Sequence, residues 1–153
     1  MVMNLEGYNV IKSSDYFEYG FYSEGPKGRI KKRVRFQPFS NDAGNFFNLV
    51  FGDADETGVL IDDSVVSNNE DTDKIFATIA HIVLHFTNMF PNAEIYAEGS
   101  TAGRNRLYRM AINRRFKEIK KSFNIFGVTE DNEIEPFIRR KNYIGFVVQR
   151  KFY

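Results

Sequence analysis

The chain has 153 residues and a formal net charge of +1, with 42% hydrophobic and 27% charged residues, the proportions of one globular domain over 1–153 with its own core. It has 16 Phe and 8 Tyr but no Cys, so large rings dominate the core, and disulfides, thiolate metal sites and a cysteine nucleophile are excluded. The opening residues, MVMNLEGYNVIKSSD, lack the pattern of a secretory signal, and the most apolar stretch, 75–90, is broken by Thr78, His81, His85, Thr87 and Asn88, which points to a cytoplasmic-type protein with no membrane partner.

Residues 16–22 alternate in polarity, which places Phe17, Tyr19 and Phe21 on one face of a strand. SEGPKG at 23–28 has turn chemistry, and 29–36 returns as the second arm of a hairpin. On that arm Ile30, Lys32, Val34 and Phe36 share one face, and Arg29, Lys31, Arg33 and Arg35 the other. The apolar run 46–51 reads as a central strand, 52–58 as a polar turn and 59–61 as a short strand. Helical spacing follows over 71–90, with Asp71, Thr72 and Asp73 able to cap its start and Pro91 to stop it. A short strand at 94–97, a turn at Gly99, a helix at 101–123 and closing strands at 124–128 and 143–151 complete the chain. The order β-β-β-β-α-β-α-β-β predicts an α+β fold: a mainly antiparallel sheet of about six to seven strands with two main helices on one face.

The strongest local pattern is EIYAEGSTAGRNRLYRMAINRRF, where a strand ends in Gly99-Ser100-Thr101 and a helix begins. The unpaired amides of a helix start, with the hydroxyls of Ser100 and Thr101, form a ready anion site. Tyr108, Ile112, Phe116, Ile119 and Phe123 trace the apolar stripe of this helix. Arg104 lies one turn before Tyr108 on the core side, while Arg106 and Arg109 lie on the wet side. An inward guanidinium needs a partner: a ligand phosphate or carboxylate, or an internal acid such as Glu98.

Charge is segregated along the chain. The row Arg29, Lys31, Arg33 and Arg35, beside Tyr16, Tyr19 and Tyr22, has the cation-and-ring composition of a nucleic-acid surface, which Arg106, Arg109 and Lys117 would extend if the two elements were adjacent. The same cations also discourage edge pairing, or face the acidic stretch 53–73. Asp53-Ala-Asp55-Glu-Thr57-Gly58 imitates a calcium loop but has Ser64 where the bidentate Glu belongs. His81 and His85 stand one helical turn apart without the Glu of a zinc-protease motif and without a third ligand in view. The sequence therefore assigns no metal and no cofactor.

The segments SEGPKGRIKK, NLVFGD, VVSNNEDTD and GSTAGRNRLY, together with the closing strand at 143–151, resemble those of a family of uncharacterised bacterial proteins of about 150 residues, a domain of unknown function. The Gly-Ser-Thr-x-x-Arg-x-Arg-Leu-Tyr stretch is the most specific part, with Gly103 where the resembling proteins often carry Ala. The resemblance implies a compact domain of this length and no particular activity.

Together these residues point to an anion-binding module whose ligand bears a phosphate, nucleic acid being one candidate. Gly99, Ser100, Thr101, Arg104, Arg106 and Tyr108 would form the ligand site, and Arg29, Lys31, Arg33, Arg35 and Arg109 a nucleic-acid surface. Two other classes fit the same chain. One is a small-molecule enzyme using that corner, with Tyr108, His81 or His85 as acid or base. The other is a protein-interaction or homodimeric protein using its aromatic surface.

Overall fold

A computed structural model describes residues 7–13, 17–39, 44–54, 61–62, 69–99 and 102–151. Its elements follow the chain as β1 (Ile11–Lys12), β2 (Glu18–Gly25), β3 (Gly28–Pro38), β4 (Phe46–Ala54), β5 (Ile61–Asp62), α1 (Thr72–Met89), β6 (Glu94–Ala97), α2 (Ala102–Ser122), β7 (Phe123–Val128), β8 (Ile134–Pro136) and β9 (Gly145–Arg150). The fold is the expected α+β type, with nine strands among the described residues instead of six to seven. The two unforeseen strands, β1 and β8, are two and three residues long and lie at the sheet's edges, too short to leave an alternating signal.

The strand order is β1-β2-β3-β4-β6-β9-β7-β8, with β5 alongside β4. Every pairing is antiparallel except β4 with β6. That pair is parallel because α1 carries the chain back between the two strands, a return no tight turn makes. β9 lies between β6 and β7 and is antiparallel to both, so β6, α2 and β7 form a second crossover with a strand inserted.

The β2–β3 hairpin runs further into SEGPKG than its composition predicts. Gly25 pairs with Gly28, which leaves Pro26 and Lys27 as the turn. Pro26 has its φ fixed in advance, and Gly28 takes φ 88°, a region open to glycine at little cost. Asn69 holds this turn: its Oδ1 accepts from the Lys27 amide at 2.7 Å, and its Nδ2 donates to the Gly28 carbonyl at 2.9 Å. β4 likewise extends beyond the expected end at 51, because Lys32 pairs with Asp53 and Arg33 with Gly52 across the β3–β4 ladder. The remainder of the acidic turn, 55–58, lies outside the described residues.

Alternation sends Phe21, Val34, Phe36, Leu49 and Ile95 to one face of the sheet, and both helices cover that face. α1 buries Ile75, Ile79, Ile82, Val83 and Phe86 there, while α2 contributes Tyr108, with Ile112, Phe116 and Ile119 partly buried. Asp71 holds the position before α1 but does not cap it with its side chain. Its Oδ2 accepts the hydroxyls of Ser23 at 2.5 Å and Tyr8 at 2.6 Å instead, tying the N-terminal segment and the hairpin to the helix start. α2 is not the regular helix expected. It kinks at Arg115, at φ −106° and ψ 16°, beside a carbonyl of Asn113 that accepts from Arg139 at 3.2 Å.

Candidate functional site

The corner around Gly99 lies beside a stretch of β4 between its described pairings with β6 and with β5. β6 pairs with β4 only as far as Ala97 opposite Leu49, and β5 takes over at Asp62 opposite Asp53. Val50, Phe51 and Gly52 therefore have no strand partner on that side among the described residues. The Asn45 carbonyl accepts from the Glu94 amide at 2.8 Å, so by alternation the Phe51 carbonyl also faces the β6 side of β4. A buried carbonyl needs a donor. Arg104, in the first turn of α2, supplies one: its Nη1 donates to the Phe51 oxygen at 2.8 Å, and its guanidinium lies 5.6 Å from the Phe51 ring centre. The inward lean read from the helical spacing is thus realised, with Arg104 only 6% exposed. Glu98, the internal acid considered as its partner, is exposed and accepts from the Tyr96 hydroxyl at 3.1 Å.

Gly99 is required here by close approach. A Cβ on it would lie 2.7 Å from the Arg104 carbonyl carbon and closer still to the Asn105 amide nitrogen. Its N–H donates to Asn105 Oδ1 at 3.3 Å, and the Asn105 side-chain amide donates to the Tyr143 carbonyl at 2.6 Å, so the strand exit, helix start and β9 approach are clamped together. Because the obstructing atoms are backbone, Gly99→Ala is expected to destabilise the fold by about 1–3 kcal/mol, read as a lowered urea midpoint.

In front of Arg104 is a hollow of about 320 Å³, lined by Phe39, Tyr96, Glu98, Gly99 and Tyr108 as well as β4 residues 48–51. Its lining is part polar and part aromatic. Burial, and then the Glu98 charge, push the Tyr96 hydroxyl up to about 12, so it is a donor and not a base near neutral pH. Phe39 is 54% exposed and meets Tyr96 edge-on at 5.9 Å between ring centres.

Of the residues assigned to this corner, Gly99, Arg104 and Tyr108 come together around the hollow. Ser100 and Thr101 lie outside the described residues. Arg106 is exposed on α2, and Arg109 donates to the Asn142 side chain; neither lines the hollow. Arg29, Lys31, Arg33 and Arg35 project from the sheet face opposite the helices. Arg33 and Arg35 reach Glu18 at 3.4 and 2.5 Å, and Arg29 reaches Glu24 at 3.5 Å. Arg29 and Lys31 lie over the Tyr22 ring, at 4.1 and 5.9 Å from its centre.

The sheet stands between that row and α2, so Arg106, Arg109 and Lys117 do not extend it. Tyr19 is not beside the row either. Alternation turns it into the core, where its hydroxyl is 2.9 Å from His85 Nδ1. Tyr16 lies outside the described residues. His81 and His85 line a different hollow, with Tyr19 and Lys12, and burial followed by the Lys12 charge lowers the His85 pKa. They are therefore no acid–base pair for the corner. The wall residues outside the site assigned from sequence are Phe39, Tyr96, Glu98 and β4 residues 48–51. Tyr96 carried a signal, as a residue of a short alternating strand; Glu98 was named only as a partner for Arg104, and Phe39 carried none.

The fold and corner define an α+β domain with a cation-walled hollow between β4 and the carboxyl end of β6. The chain belongs to a family of unknown function, DUF6934, whose model matches residues 4–151. No curated protein and no solved structure matches the chain. Among the described residues, no helix is long and apolar enough to cross a membrane.

Proposed function

We propose that the corner at residues 99–104 binds a small phosphate-bearing molecule, and that a mononucleotide is the class its walls fit best. The observation that carries this reading is the arrangement of one hollow: a guanidinium in its inner wall, a carboxylate along its side and an exposed ring at its mouth. Its volume of about 320 Å³ suits a small ligand. A phosphate would take a charge-assisted bond from Arg104 and the favourable field of the α2 start. A sugar hydroxyl would donate to Glu98, and a base would stack on Phe39. An extended nucleic-acid strand has less support, because Arg33 and Arg35 on the open face already answer Glu18.

Titration calorimetry with AMP, adenosine and inorganic phosphate tests the reading. AMP is expected to bind, with adenosine and phosphate each weaker by tenfold or more, roughly the worth of one lost charge-assisted or stacking contact. Phe39→Ala should weaken AMP by about tenfold and leave phosphate unchanged. Arg104→Lys should weaken both, and is read against its melting temperature because Arg104 also holds the Phe51 carbonyl. No AMP binding, or equal AMP binding by Phe39→Ala, overturns the assignment.

A further inference from the structure

A second cavity, of about 120 Å³, lies where α1 and α2 meet the core face of the sheet. Ala77 and Ala80 of α1, Ala97 of β6 and Ala111 of α2 form part of its wall, and their short side chains leave the space open. It shares only Leu49 and Tyr108 with the corner hollow. One charged residue lines it, Arg115. Tyr108, Ala111, Ile112, Arg115 and Ile119 occupy one stripe of α2, so Arg115 holds a position that apolar spacing reserves for the core.

The α2 kink falls at this same residue. Its neighbour Arg114 is paired with Asp73, whereas Arg115 has no ion pair or hydrogen bond among the described residues, and its side chain runs from the cavity to solvent. An apolar cavity of this kind stays dry and accepts an apolar guest; one of about 150 Å³ in another protein takes benzene. Here the mouth adds a positive charge.

We propose that this cavity binds a small apolar carboxylate, with a hydrocarbon body of about five carbons among the alanines and its carboxylate on Arg115. The Arg115 charge, beyond the apolar wall that its stem joins, would select an anion over a neutral chain of equal length. The opposing account is that Arg115 merely lays its stem over apolar surface and keeps its head in water. In that account its charge is irrelevant to any guest.

Hexanoate and hexanol, titrated into the whole chain and followed by calorimetry and by shifts of core methyl resonances, separate the two. Wild type is expected to bind hexanoate about tenfold more tightly than hexanol. Arg115→Gln should remove that preference while leaving hexanol affinity unchanged. Ala111→Leu, which fills the cavity from α2, should abolish binding of both, and Ala80→Leu should do the same from α1 if the first variant folds poorly. Equal affinity of wild type for the two probes, hexanoate binding that persists in the filled variants, or no binding of either probe overturns the proposal. The corner reading is untouched by any of these results, because AMP binding is measured on different residues.

Discussion

Phe86→Ala is expected to cost about 3–5 kcal/mol, a large share of the stability of a domain this size. Phe86 is fully buried and stacks on Phe36 of β3 with 3.9 Å between ring centres and 9° between planes. Phe47 of β4 meets it edge-on at 5.2 Å, Phe17 at 5.9 Å, and Phe90, one turn further along the chain, at 4.9 Å. One ring thus joins α1 to two strands and to the segment entering β2. Its removal leaves a void that two hydrogen-bonded strands cannot move to fill. Phe86→Leu keeps most of the volume but loses the ring contacts, and should cost about 1–2 kcal/mol. Urea unfolding of both variants checks the ranking. A loss below about 1 kcal/mol for the alanine variant would mean that helix and sheet do not depend on this contact.

That ring cluster explains why so much of the fold was legible in the sequence. Residues of α1 repeat at helical spacing, those of β2 and β3 alternate, and both periodicities follow from which face must be buried. The kink in α2 was not legible: no Pro or Gly marks Arg115, and the Asn113 carbonyl beside it accepts from Arg139, 26 positions away. Asp71 has the composition of a cap, but Tyr8 and Ser23 compete for its carboxylate, and neither is near it in sequence. At the corner, spacing alone turned Arg104 inward. It could not show that Arg104 answers the Phe51 carbonyl, since that contact depends on how the start of α2 sits against β4, 53 positions away in the chain. The cations of β3 and those of α2 share no surface for a related reason. Sequence gives the face of each element, but not which side of the sheet that element occupies.

Lys32→Ala is expected to cost a further large amount, about 3–5 kcal/mol. Strict alternation along β3 sends Lys32 to the core face between Ile30 and Val34, and it is 3% exposed. Its Nζ pairs with Asp53, its register partner on β4, whose side chain is 17% exposed. Truncating the lysine takes from a largely buried carboxylate a cation that helps offset its desolvation. The half-exposed Arg114–Asp73 pair gives the contrast: Arg114→Ala should change stability by about 1 kcal/mol or less.

Lys32→Met combined with Asp53→Leu should recover most of the loss, because two apolar side chains of similar size satisfy the same space without charge. The pair's larger contribution is to register. A one-residue slip of β3 would carry Lys32 to the open face and turn Arg33 and Arg35 into the aromatic core, so the buried cation and its acid favour the native pairing over that slip. Urea unfolding of Lys32→Met, Asp53→Leu and the double closes the cycle. Singles that lose less than about 1 kcal/mol each would show that the pair is solvated and takes no part in fixing the strands.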